Sequence, residues 1–374
     1  MSNVYTCIPV YAKGFQCLAG DCPLTCCRSW QVQVDEAFLS NLPHAPPHLK
    51  AALCTDTNPQ FFLGGPDGAC PMLLSDGLCA IQKDWGEAYL PLECAQHPRF
   101  WEEYGCRREL SLAVSCPEAA RLLLEQQDFL VEETDDGVKD TPFDGVDPLL
   151  LSGLVRTRNM ALNLLRSRDT PLLTRLRKVW GLAAAVQQAL DSGNWAVLST
   201  LACPPPPSAA GLSRRRELSV SLLRLLASFQ PMDPQWPTLL QRRADELDEV
   251  YDAAYRRLCR NYEWACPQWE DRLTRLACYF LFRHWPKALN DDRLLGRVSV
   301  AITACLTMYH LSALAFGEQG PLSPQQEALQ WAAFSREVEH LEDTWNFLVD
   351  TLNQWPLSSA LCPTEPDRGP SPAR

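Results

Sequence analysis

The stretch Val298-Ser-Val-Ala-Ile-Thr-Ala-Cys-Leu-Thr-Met-Tyr-His-Leu-Ser-Ala-Leu-Ala-Phe316 runs for 19 residues with His310 as its only potentially charged side chain. A run of that length and polarity passes the test for a bilayer span. Ser299, Thr303, Thr307, His310 and Ser312 dilute its apolarity, however, and charged helical segments flank it on both sides. It is read as the buried core helix of a helical protein, with His310 as a core or interfacial histidine holding one hydrogen-bond partner. No membrane association is expected.

Working outward, helix-start signals recur. Asp147-Pro148, Thr170-Pro171, Asp233-Pro234 and Ser323-Pro324 each place a capping side chain before a proline at the first helical position. Ser323 with Gln326 fits a capping box, and Leu329, Ala332, Ala333, Val338, Leu341, Trp345 and Leu348 predict one helix to about Leu352. Arg156, Arg158, Arg166, Arg168, Arg175, Arg177 and Lys178 read as a solvated basic face. Trp264, Trp269, Tyr279, Phe280, Phe282 and Trp285 read as core. Cys203-Pro-Pro-Pro-Pro-Ser208 cannot continue a helix and reads as a rigid connector.

Before residue 120 the composition changes. Eleven of the 17 cysteines fall in the first 116 residues, most densely at Cys17, Cys22, Cys26 and Cys27. Segments such as Leu63-Gly-Gly-Pro-Asp-Gly-Ala-Cys70 read as irregular loops joined by short helices or strands. The expected fold is therefore mainly α: a cysteine-rich, loop-rich metal-binding region at 1–131 and an acidic linker at 132–146, then a helical domain at 147–362 carrying the connector at 203–208, and a disordered tail at 363–374.

Adjacent cysteines pair poorly with each other in a disulfide, whereas four thiolates converging from a folded-back loop suit one soft metal centre. A secreted disulfide framework would call for an export signal. Met1-Ser-Asn-Val-Tyr-Thr-Cys-Ile-Pro-Val10 has no basic start, unbroken apolar stretch or small-residue cleavage site. A cytoplasmic protein with reduced thiols is expected. The net charge of −11 opposes nonspecific binding to nucleic acid, which is not an expected partner.

Zinc and iron–sulfur clusters both accept four thiolates. Structural zinc sites often show two short Cys-x2-Cys hooks, which this chain lacks, so a polynuclear cluster fits its spacing better and zinc stands as the alternative. Cys116-Pro117 resembles the ending of many cluster-binding runs and equally fits a buried thiol capping a helix. A radical S-adenosylmethionine motif, Cys-x3-Cys-x2-Cys, fails at its third ligand, where Ser29 stands.

Several blocks occur together over about 110 residues: Tyr11, Phe15-Gln-Cys-Leu-Ala-Gly-Asp-Cys22 and Cys26-Cys27-Arg-Ser-Trp30 with Asp35, then Asp76-Gly-Leu-Cys-Ala-Ile-Gln82, Leu90-Pro-Leu-Glu-Cys94, Pro98-Arg99 and Ser115-Cys-Pro-Glu-Ala-Ala-Arg121. In these the chain resembles the flagellin lysine-N-methylases, bacterial enzymes that methylate surface lysines of flagellin. The resemblance implies S-adenosylmethionine as donor, flagellin as protein substrate and an iron–sulfur cluster, 4Fe-4S, in the cysteine-rich part. It implies metal ligands among Cys17, Cys22, Cys26, Cys27, Cys79, Cys94 and Cys116, and leaves Cys54 and Cys106 as buried free thiols. Asp21, Asp35, Asp76 and Glu93 lie beside the matched cysteines and fit a general base or a capping carboxylate equally. The competing class is a non-enzymatic zinc- or iron–sulfur-binding interaction or regulatory protein.

Overall fold

A computed structural model describes residues 3–28, 32–41, 47, 51, 53–54, 60–62, 68–139, 145–205 and 215–354. The tail at 363–374, Cys362 and the connector beyond residue 205 lie outside the described residues. The chain is mainly α. Strand β1 (Asn3–Pro9) is followed by β2 (Gln33–Val34), α1 (Glu36–Asn41), β3 (Leu53–Cys54) and β4 (Gln60–Phe62). Helices α2 (Ala80–Asp84) and α3 (Leu92–Gln96) precede β5 (Arg99–Tyr104), β6 (Arg107–Leu112), α4 (Pro117–Glu125) and β7 (Val131–Lys139).

The helical body then runs α5 (Pro148–Arg166), α6 (Leu172–Asp191), α7 (Arg215–Ala227), α8 (Gln235–Glu249), α9 (Asp252–Ala265) and α10 (Trp269–His284). It closes with α11 (Ala288–Asp291), α12 (Leu294–Gln319), α13 (Pro324–Glu339) and α14 (Glu342–Gln354). Helix α12 contains the opening stretch and lies at the centre, with 94% of its most apolar window buried inside the protein. His310 is buried there with two partners, the Tyr255 hydroxyl at 2.9 Å and the Leu306 carbonyl at 2.8 Å. Gly296 lets α14 approach, since a Cβ at that position would sit 2.3 Å from the Val349 carbonyl oxygen.

Two of the expected caps form as read. Asp147 accepts from the Leu149 and Leu150 amides, and Ser323 with Gln326 closes a reciprocal capping box. Thr170 does not cap α6; the Leu172 amide donates to Glu270 of α10 instead, at 3.2 Å. The helix expected to reach Leu352 is interrupted at His340 and Leu341, giving α13 and α14.

The segment 132–146 departs most from its reading as a linker. Its first part belongs to β7, the outer strand of a four-stranded sheet in the order β5-β6-β1-β7, antiparallel to β1. Glu132, Glu133 and Asp135 are solvated as read, and two of them also meet cations: Glu132 pairs with Lys13 of the turn after β1, and Glu133 with Arg107 of β6 at 2.9 Å. Charged side chains on such an outer strand also discourage pairing with other chains.

The basic face is corrected at three of its seven positions, while Arg168 stays exposed. Arg158 and Arg175 are 1% and 2% exposed, and Arg177 is buried. Arg158 forms a bidentate pair with buried Glu109 of β6, at 2.5 and 2.7 Å, and also donates to the Phe282 carbonyl. This pair pins the sheet to the helical body, so residues on both sides of the 131/132 boundary share one apolar core. Tyr279, Phe280, Phe282 and Trp285 lie in that core, while Trp264 is 87% exposed. A second, smaller cluster of Val32, Val34, Phe38, Phe62, Met72 and Ile81 lies under the cysteine loops.

Candidate metal centre

Two glycines fold the first cysteine run back on the rest. Gly20 and Gly77 touch backbone to backbone: a Cβ on Gly20 would sit 2.9 Å from the Asp76 carbonyl oxygen, and Gly77 has φ +79°. This contact sets the turn bearing Cys17 and Cys22 against the turn before Cys79. The Cys70 amide donates to the Cys27 carbonyl at 2.8 Å, and short antiparallel bridges join Arg28 to Ala69 and Leu73 to Cys79. Cys94 rides on α3, which is tied to the small cluster's strand by the Gln33 amide donating to Glu93 (2.8 Å) and the Leu92 amide donating to Asp35 (2.6 Å).

These ties surround a cavity of about 730 Å³. All seven cysteines expected as ligands line it: Cys17, Cys22, Cys26 and Cys27 on one run, with Cys79, Cys94 and Cys116 from later segments. Cys70 lines it as well. Cys106, half-buried in the β5–β6 turn, does not contribute to the wall, and the side chain of Cys54 lies outside the described residues. Cys116, half-buried, stands at the N-terminus of α4 without a side-chain capping bond, packs against the main core and lines the cavity.

Burial is the first cause raising the Cys22, Cys70, Cys79, Cys94 and Cys116 thiols above their ordinary value, with Cys70 and Cys116 at about 11. Cys27 moves the other way because Cys26 hydrogen-bonds to it, and Cys26 is raised in turn by the same contact. Thiols so disposed become thiolates when a soft cation repays their desolvation.

Among the described residues, no three His, Cys, Asp or Glu side chains are gathered tightly enough to hold a metal ion. A single zinc with bonds of about 2.3 Å would draw four sulfurs to within about 4 Å of one another. The thiols instead stand around the cavity wall and do not converge on one point.

Three residues absent from the sequence reading complete the wall or hold it. His97 and His340 both line the cavity, their rings 6.3 Å apart, and His340 Nε2 lies 2.6 Å from Ser115 Oγ. Burial depresses both, His97 to about 3 and His340 to about 4, so both rings are neutral near pH 7. Arg336 of α13 donates to the carbonyls of Leu24 (3.4 Å), Thr25 (3.0 Å) and Arg28 (2.6 Å), bracketing the Cys26-Cys27 step. Cys70, also outside the expected ligand set, did have a sequence signal, its place in the crowded cysteine count, whereas Arg336 and His340 belong to the end of a helix that reads as ordinary packing.

The four carboxylates separate into structural roles and one wall residue. Asp35 starts α1 by accepting from the Phe38 amide, Asp76 holds its turn through the Leu78 amide and Lys83, and Asp21 lies exposed. Glu93 lines the cavity but is engaged by the Gln33 amide. Behind the wall, buried Glu339 accepts from Tyr279, His284 and Ser335 and pairs with Arg283 at 3.3 Å, and Arg283 lies over the ring of cavity-lining Phe100.

Over 140 residues the chain is 24% identical to the Flagellar biosynthetic protein FliU of Salmonella muenchen, an alignment covering 35% of this chain and 83% of that protein. It is 25% identical over 140 residues to Lysine-N-methylase of Salmonella typhimurium and of Salmonella choleraesuis, covering 35% of this chain and 35% of each relative. The chain thus spans about a third of the lysine-N-methylases it matches, and the similarity supports a distant relation. No family model matches the sequence. No solved structure matches it.

Proposed function

We propose that this chain is a protein-lysine N-methyltransferase that takes S-adenosylmethionine as donor, acts on surface lysines of flagellin and carries an iron–sulfur cluster in its cysteine cavity. The observation that carries the reading is the 140-residue similarity to proteins named Lysine-N-methylase and to a flagellar biosynthetic protein, in a chain whose fold gathers its cysteines around one void. A cluster held by four of the wall thiols would supply one-electron chemistry or a rigid cross-link. The remaining steps fall to the chain's own side chains.

Methyl transfer forms an N–C bond as the sulfonium C–S bond breaks, and the lysine nitrogen must first lose a proton to attack. An exposed lysine has a pKa of about 10.4. Walls such as Phe15, Val32, Phe62, Met72 and Ile81 would strip water from an entering ammonium and favour its neutral form. His340 and His97, neutral but held at about 4 and about 3, are weak proton acceptors. Desolvation is therefore assigned the larger share of amine activation, and the histidines the orientation of the amine.

Anaerobically reconstituted protein incubated with S-adenosylmethionine and purified flagellin tests the reading. Increments of about 14 Da on flagellin lysines are expected in mass spectra, each retaining the lysine charge. Reconstituted protein that binds neither donor nor flagellin, with no such increments, would leave the interaction-protein class in its place.

A further inference from the structure

Among the described residues, Arg99 is the only lysine or arginine in the cavity wall. It belongs to the Pro98-Arg99 block and stands half-buried at the start of β5. The other arginines near the cavity are engaged, Arg336 with loop carbonyls and Arg283 with Glu339. Among the described residues Arg99 makes no ion pair and no side-chain hydrogen bond. Its guanidinium lies over the Phe15 ring instead, 4.9 Å from the centroid, and Phe15 lines the same cavity.

The backbone beneath this side chain is held firmly. Arg99 pairs with Leu112 across β5 and β6, the Ala113 amide donates to the Pro98 carbonyl at 2.8 Å, and Tyr11 donates to the Leu112 carbonyl at 3.0 Å. Phe15 is 7% exposed and packs in the main core. Contact with a ring face occupies none of the N–H donors along the guanidinium edge, which stay available to a planar acceptor. The wall carboxylates Glu93 and Glu118 do not take them, being engaged by the Gln33 amide and by Arg121.

We propose that Arg99 is the carboxylate-binding residue of this cavity, and that the carboxylate it takes is the one on the methionyl end of S-adenosylmethionine. The inference rests on the donor reading above and assigns a residue to it. A cavity of about 730 Å³ is of the size that encloses small ligands and cofactors. A half-buried cation without an anionic partner is unfavourable, and a carboxylate accepting two parallel N–H bonds would relieve it. The same pairing would fix which way round the donor lies, since its adenosine end carries no carboxylate.

Calorimetric titration of the anaerobically reconstituted full chain compares S-adenosylmethionine with its decarboxylated analogue, which keeps the sulfonium and the adenosine. The unaltered protein is expected to favour the intact donor by about tenfold or more, the scale of a charge-assisted hydrogen-bonded pair. Arg99→Gln removes no hydrogen bond within the protein and should keep its helical circular dichroism, while the preference falls to about twofold or less and affinity for the analogue holds or rises. Arg99→Lys keeps the charge without the fork and should retain only part of the preference. A preference that survives either substitution in full, an equal loss of both ligands, or a loss confined to flagellin binding would overturn the assignment and leave the donor reading standing. Binding of neither ligand by the unaltered protein would overturn the donor reading as well.

Discussion

The two apolar clusters of this molecule are stabilised by different means. The main one extends from Cys7 in β1 to Leu352 in α14, with Trp285, Trp331, Tyr279 and Tyr309 fully buried, and it draws on every layer of the helical body. The one under the cysteine loops has a core of Val32, Val34, Phe38, Phe62, Met72 and Ile81, joined by two-residue and three-residue strands and helices of five or six residues. Helices that short do not hold themselves, and so few buried side chains offset little chain entropy. The comparison teaches that the large core holds itself by burial, whereas the small one has a deficit that the proposed metal ligation would make up.

Removing the metal should therefore have the largest effect, confined to one side. With a chelator present, backbone amides around Ile81 and Val34 are expected to lose hydrogen-exchange protection, while α10 and α12 keep theirs. Simultaneous loss of protection in both regions would show that the clusters are a single cooperative unit.

Next in size, Trp331→Ala should cost about 3–5 kcal/mol in urea unfolding of the metal-free protein, because Trp331 is 1% exposed in the main core. Iron per folded chain should not change. A variant that unfolds normally but binds no iron would join the two regions more closely than their packing suggests.

Acid should weaken the large core by a smaller, graded amount. Burial holds His284 at about 3, so its neutral form belongs to the folded state; its contribution is complete above about 6.5 and is lost as pH falls from there toward 3. Burial opposes the charge on Glu339, but Arg283 and His284 outweigh it and hold the carboxyl at about 2. Its contribution is complete above about 4.5 and falls away as pH drops toward 2, the same direction as His284. The urea midpoint of metal-free protein should decline from pH 7 to pH 4, and His284→Gln should flatten the upper part of that decline; an unchanged slope would remove His284 from the account.

At the small end, Cys203→Ser should shift stability by no more than about 0.5 kcal/mol and leave iron content unchanged, since Cys203 is exposed and away from the cavity. Cys26→Ser should lower iron content. Equal metal loss in the two variants would erase the distinction between wall thiols and bystanders.

Much of this was legible in the residues, and the misreadings share one cause. Asp147 and Ser323 cap their helices as read because a cap is settled within four residues. Thr170 was passed over because Glu270, far away in sequence, reaches the Leu172 amide. Glu132, Glu133 and Asp135 are solvated as read, but their segment is a strand and not a linker, because β1, far away in sequence, pairs with it. Arg158 reads as surface charge until Glu109 meets it inside the protein.

By itself the sequence determined the helical class, the burial of the 298–316 stretch and the crowding of cysteines before residue 116, because periodicity, capping and composition act over short distances. Tertiary structure alone decided that eight of these, Cys70 included, line one cavity, that α13 ends where His340 can turn into the cavity, and that Arg336 clasps a loop more than three hundred residues upstream. Those choices depend on which surfaces meet when two clusters of unequal size pack together, and no local pattern encodes that meeting.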